Sequence, residues 1–146
     1  MLATRLVILR FAMVLLAGAA LLIGGLIFVL GPSATGDAFT TALQVAAPDV
    51  VPLTGLRGPD IDSEMRFYSV LFIAYGGAGL WALRSFQERL GLVRLMLAIF
   101  MLGGMGRAVS YVSVGAPHPL FVVLMWIELL APPILLALSH QPRSPR

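Results

Sequence analysis

The chain has no cysteine, so disulfides, thiol catalysis and cysteine-ligated metals are excluded. It has no lysine either: all ten basic residues are arginine. Charge of both signs is scarce. Only 12% of the residues are charged, where a soluble domain carries about 25%. The two histidines, His118 and His140, are too few for a usual metal site, and no Ser–His–acid constellation is evident. "GGAG" is followed by no Lys-Ser/Thr pair, so it is no phosphate loop. The sequence therefore points to no catalytic residue, no metal and no cofactor.

Apolar residues dominate instead. They form 59% of the chain, against about 45–50% in soluble domains, and the mean hydropathy is +0.94. Such a chain has no water-compatible surface. It is predicted to be an all-α integral membrane four-helix bundle, one domain with short connections. The pI of 10.2 would suit a nucleic-acid partner, but the arginines stand singly between apolar runs. That is a membrane-topology pattern, and no nucleic acid is expected.

The first span, residues 11–30, has twenty uncharged residues, about 30 Å of helix. Arg5 and Arg10 precede it and Gly31-Pro32 ends it. A cleaved signal peptide would have an apolar core of about 7–15 residues with a small-residue site behind it, and "GPSATG" is no such site. The second span, about 66–83, follows "DIDSEMR", with Asp62 or Ser63 as its N-cap. The third, about 94–114, contains Arg107, and the fourth, about 119–139, contains Glu128. The outer loop, 31–62, is too short for a domain. Within it "DAFTTALQ" sets Phe39, Ala42, Leu43 and Ala46 at helical intervals, as in a short interfacial helix; a coil crossing between helix ends is the alternative. Residues 140–146, "HQPRSPR", form a polar tail expected to be disordered.

Arginine placement predicts the orientation. Arg5, Arg10, Arg84, Arg89, Arg94, Arg143 and Arg146 fall on one side, and Arg57 falls on the other beside Asp37, Asp49, Asp60 and Asp62. The positive-inside rule then makes both termini cytoplasmic, in a bacterial inner (plasma) membrane.

Arg107 raises the sharpest question. A charge at the centre of a span costs about 2.5–3.5 kcal/mol on insertion scales, so something must answer it. From Arg94 to Arg107 the helix rises about 20 Å, and from Leu120 to Glu128 about 12 Å. In a core of about 30 Å this puts Arg107 and Glu128 at one level. The tight "VGAPHP" turn makes the third and fourth spans antiparallel neighbours, so an Arg107–Glu128 ion pair is expected. Gly103, Gly104, Ser110 and Tyr111 share the face of Arg107. The glycines would let a helix approach, and the hydroxyls would complete hydrogen bonds.

In the second span Glu64, Tyr68, Leu71 and Tyr75 form one stripe, and Tyr68 and Tyr75 should reach toward the level of Arg107. Arg66, on the opposite side, should snorkel to the outer headgroups. Gly18, Gly24 and Gly25 in the first span, with Gly76, Gly77 and Gly79 in the second, read as close helix packing. Pro132-Pro133 should kink the fourth span and free backbone carbonyls near the charges. His118 reads as a loop or interfacial residue. Three roles for the pair stay open: setting helix register, binding a ligand headgroup, or a proton- or ion-coupled step at Glu128.

"SEMRFYSVLFIAYGGAGLWAL", "LGGMGRAVSYVSVG" and "PHPLFVVLMWIELLAPP" together resemble the small four-helix bacterial membrane proteins grouped as domain of unknown function 4345. The matching features are Glu64 and Arg66 ahead of the second span, Gly106, Arg107 and Ser110 in the third, and Glu128 in the fourth. Ser69 stands where the resemblance leads one to expect a glycine. The likeness covers about residues 60–138, and the first span by hydropathy. There is also a distant likeness to the DoxX group in general architecture. The resemblance implies a fold and a site but no activity.

The first expectation is thus a non-enzymatic accessory or interaction subunit of a larger membrane assembly, one handling lipid. Its partners would be membrane lipids and a membrane protein or a second copy. The alternative is a binding protein for a lipid, quinone or isoprenoid headgroup. A small transporter ranks last, because small multidrug exporters carry their essential Glu in the first span, which is uncharged here.

Overall fold

The computed structural model describes residues 2–139; the polar tail, with His140, Arg143 and Arg146, lies outside the described residues. The regular structure is all helical, and no strand occurs among the described residues. The order is α1 (Leu2–Leu30), α2 (Pro32–Ala46), α3 (Pro59–Arg84), α4 (Leu90–Val114) and α5 (Pro119–Ser139).

Among the described residues three stretches are long and apolar enough to cross a membrane: Thr4–Leu30, Leu90–Val114 and Pro119–Ser139. Helix α3, at 26 residues, has the length. Its hydropathy is diluted by Tyr68, Ser69, Tyr75, Trp81 and three glycines, and its first turns carry Asp60, Asp62, Glu64 and Arg66. Large apolar side chains stand exposed along α1 and α5, among them Phe11, Leu15, Leu22, Trp126, Leu130 and Ile134. Hydrocarbon would accept such faces; water would not.

Helix α5 has the bounds read from the sequence, and α1 stops where Gly31-Pro32 was expected to stop it. Other bounds differ. Helix α3 begins at Pro59, about seven residues before the expected span, so Asp62 and Ser63 lie inside the helix and neither is its N-cap. Proline suits a first helical position because it has no N–H to leave unpaired. Asp60 and Asp62 then sit at the positive end of the helix dipole, and the Asp62 N–H reaches the Gly58 carbonyl at 2.9 Å.

The stretch read as an outer loop is largely helix. Gly31 alone separates α1 from α2, at φ 84 and ψ 165, a backbone region open essentially to glycine. The face of α2 that is buried is not the apolar one. Pro32, Thr35, Gly36 and Thr40 are buried, while Ala42 and Ala46 are exposed. The two threonines donate their hydroxyls to carbonyls one turn back, Thr35 to Gly31 at 2.7 Å and Thr40 to Gly36 at 2.9 Å, so no polar atom is stranded.

The chain divides into two compact units, residues 15–78 and residues 1–14 with 79–146. In the first, α1 and α3 approach to backbone contact. A Cβ on Gly76 would lie 2.7 Å from the Ala17 carbonyl oxygen, and one on Gly24 would lie 2.9 Å from that of Ser69. Ser69, fully buried, donates its hydroxyl to the Arg66 carbonyl at 2.6 Å. Close packing therefore survives the serine, because the opposing residue supplies the missing volume. The expectation fails for Gly18, Gly25 and Gly77, which meet nothing within 4 Å. In the second unit α4 packs on α5, with Val93, Met96, Leu97 and Met125 buried.

Candidate functional site

Helices α4 and α5 bring Arg107 and Glu128 together. Arg107 Nε donates to Glu128 Oε2 at 2.8 Å. The two partners are not equally sheltered: 9% of the Glu128 side chain is accessible and 33% of the Arg107 side chain. The glycines before Arg107 make the approach possible. A Cβ on Gly104 would lie 2.8 Å from Glu128 Cβ and 3.1 Å from its carbonyl carbon; one on Gly103 would lie 3.7 Å from Glu128 Oε2. Helical side chains lean toward the N-terminus, so Arg107 lies over the turn of Gly103 and Gly104 and meets the carboxylate there.

The same lean overturns the expectation for Ser110 and Tyr111. They sit one turn beyond Arg107, both are exposed, and neither hydroxyl bonds to the pair. Sequence reasoning missed Phe121 instead, whose ring centroid lies 5.5 Å from Arg107 Cζ and gives the cation an aromatic face. The aromatic at one turn into α5 was the available signal. His118 does more than occupy a loop. Its Nδ1 accepts the Leu120 N–H at 3.2 Å, which caps α5, and its ring meets Phe121 edge-on at 6.4 Å. Helix α5 runs unbroken through Pro132 and Pro133. Pro132 has no N–H to offer the Glu128 carbonyl.

Arginine 107 is unsaturated. Only its Nε has a hydrogen-bond partner, and the terminal NH1 and NH2 groups have none among the described residues. Among the described residues no buried side-chain polar atom lacks a partner, so these terminal groups lie at accessible surface. Just past Arg107 on the same α4–α5 seam is an apolar groove of about 250 Å³, between Ala108, Tyr111 and Val112 on α4 and Val122, Met125 and Trp126 on α5.

The other expected site residues belong to the unit of residues 15–78. Glu64, Tyr68 and Leu71 are exposed on α3, Tyr75 is half-buried, and Tyr68 stacks edge-on with Phe67 at 5.6 Å. Arg66 is partnered within the protein. It pairs with Asp62, not Glu64, through Nε–Oδ2 at 2.7 Å and NH2–Oδ1 at 3.3 Å. Its NH1 donates to the Phe28 carbonyl at 2.6 Å and the Val29 carbonyl at 3.4 Å, closing the C-terminus of α1. A Cβ on Gly31 would lie 2.7 Å from both Arg66 NH2 and Asp62 Oδ1. Other arginines close helix ends as well. Arg94 donates to the Ser139 hydroxyl at 3.0 Å and carbonyl at 2.7 Å, Arg10 donates to the Leu83 carbonyl at 3.2 Å, and Arg89 donates to the Trp81 carbonyl. Planar forks suit this task better than ammonium groups, which gives the absence of lysine a structural sense.

Among the described residues no group of His, Asp and Glu could hold a metal ion. What the fold and the site define is an all-helical protein of membrane-length apolar helices, with an ion pair set between two neighbouring helices. The chain belongs to the family described as Domain of unknown function (DUF4345), whose model matches residues 8–139. No curated protein and no solved structure matches it.

Proposed function

We propose that the chain is a four-span inner-membrane protein, not an enzyme, that binds the anionic or carbonyl headgroup of a membrane amphiphile at Arg107. The observation that carries this reading is the guanidinium's two terminal nitrogens, accessible and unpaired, beside a carboxylate that already holds Nε. An arginine used only to set helix register gains by spending its donors within the protein. Inside a membrane, donors left open need a partner, and a phosphate, carboxylate or quinone carbonyl supplies one. The neighbouring groove would take the start of the apolar tail. Lipid, quinone and isoprenoid headgroups remain the candidate class.

The topology that goes with this reading has α1, α3, α4 and α5 crossing and both termini in the cytoplasm. Reporter fusions at the N-terminus and near Glu88 should report cytoplasm, and one near Asp49 the outside. A cytoplasmic signal at Asp49 would mean that α1 does not cross.

Native mass spectrometry of the full chain in mild detergent tests the binding. The wild type should carry a bound lipid or quinone that Arg107→Gln loses. Equal retention in the variant removes the reading. A second reading, an accessory subunit of a larger membrane assembly, draws on Gly18, Gly25 and Gly77, where an added Cβ would meet nothing within 4 Å among the described residues. Protein subunits that co-purify with the wild type and are lost in Gly77→Leu would favour it.

A further inference from the structure

A second cleft, a polar one of about 430 Å³, lies between the first turns of α1 and the turn that follows α3. Its polar wall is made by Arg10, Arg84, Ser85, Gln87 and Glu88. Leu6, Val7 and Phe86 supply an apolar wall. All of them belong to one compact unit of the chain. We propose that this cleft is a separate binding site for the phosphodiester headgroup of an anionic phospholipid.

The cleft is built in advance. The Arg89 N–H bonds to the Ser85 carbonyl at 3.0 Å and closes the turn. Phe86 is buried beneath it, with 6% accessible. Arg89 lies over the Trp81 ring, Cζ 3.6 Å from the centroid, and Arg10 spends NH2 on the Leu83 carbonyl. These contacts fix the walls and so lower the ordering cost of binding. Arg84 is different. It has no hydrogen bond or ion pair with any described residue, although Glu88 lines the same cleft. An uncommitted guanidinium on a fixed wall is a ready phosphate partner.

Charge and shape narrow the ligand. Arg10 and Arg84 against Glu88 leave one net positive charge, which matches the single negative charge of a phosphodiester. Ser85, Gln87 and Glu88 can bond to hydroxyls on the headgroup. The exposed Val7 lies within the stretch of α1 apolar enough to enter a bilayer, Thr4–Leu30, and continues the apolar wall along it, where acyl chains would lie. The assignment depends on α1 meeting the membrane but not on Arg107.

The test uses the full chain in zwitterionic detergent, with phosphatidylglycerol, phosphatidylcholine or inorganic phosphate added in separate arms. Thermal unfolding and native mass are the readouts. Phosphatidylglycerol should raise Tm and stay bound, and the other two should not. Arg84→Gln, at an exposed position, should fold normally and weaken phosphatidylglycerol binding about tenfold, the usual size for one charged hydrogen bond. Glu88→Gln should bind it as well or more tightly. Unchanged binding in Arg84→Gln overturns the proposal. So does equal stabilisation by phosphatidylcholine. Stabilisation by inorganic phosphate alone that Arg84→Gln abolishes assigns the cleft to free phosphate and overturns the lipid assignment.

Discussion

The two arginine–carboxylate pairs at Arg66 and Arg107 use the same chemistry differently. Arg66 is fully employed: two nitrogens grip Asp62 on its own helix, and the third holds two carbonyls at the end of α1. Arg107 gives one nitrogen to Glu128 on the next helix and keeps the others open. A saturated guanidinium is a structural clamp, because any further ligand would have to displace a protein partner. An unsaturated one beside a buried acid holds its position through Nε and still offers two nitrogens. The contrast separates a corner whose donors are all spent from a centre with donors left over.

The largest expected effect comes from breaking the pair that looks the less complete. Arg107→Leu leaves the Glu128 carboxylate buried without a cation, a loss of about 3–5 kcal/mol when one partner of a buried pair is removed. The double variant Arg107→Leu with Glu128→Leu should recover part of that loss, because no orphan charge remains. Thermal unfolding of the three variants in detergent checks this. Losses that simply add would show that the two residues do not answer each other.

The corner at Gly31 should respond next. Gly31→Ala forces a side chain into a glycine-only backbone region, about 1–3 kcal/mol, and drives its Cβ into the Arg66–Asp62 pair. Arg66→Gln should also lower Tm by opening the end of α1, yet leave amphiphile retention unchanged. If Arg66→Gln strips the bound molecule while Arg107→Gln does not, the assignment of clamp and binding centre is reversed.

Smaller effects sharpen the comparison at the glycines. Gly104→Ala should lower stability by about 1–3 kcal/mol, read as a lower Tm, since its Cβ meets Glu128 backbone and side chain and would push the pair apart. Gly77→Ala meets nothing and should stabilise α3 by about 0.5–1 kcal/mol through helix propensity alone. Equal destabilisation by both would mean that open space at Gly77 is filled by another molecule.

Much of this was legible in the chain. Hydropathy and length mark α1, α4 and α5, and Gly31-Pro32 and "GAPHP" mark their ends because those residues cannot continue a helix. The Arg107–Glu128 pair follows from rise per residue and a short turn, both one-dimensional quantities. Tertiary structure decided the rest. Helical phase says which residues share a face but not how far a neighbouring helix is rotated or how near it comes, so Gly76 and Gly77, adjacent in the chain, have opposite surroundings. It equally could not tell that Arg66 would choose Asp62 over Glu64. That choice rests on the carbonyls of α1 lying within reach, thirty-eight residues away in sequence. Nor could it show that Arg107 keeps two nitrogens free, because donor saturation is a property of everything that surrounds a side chain, and only the folded chain supplies those surroundings.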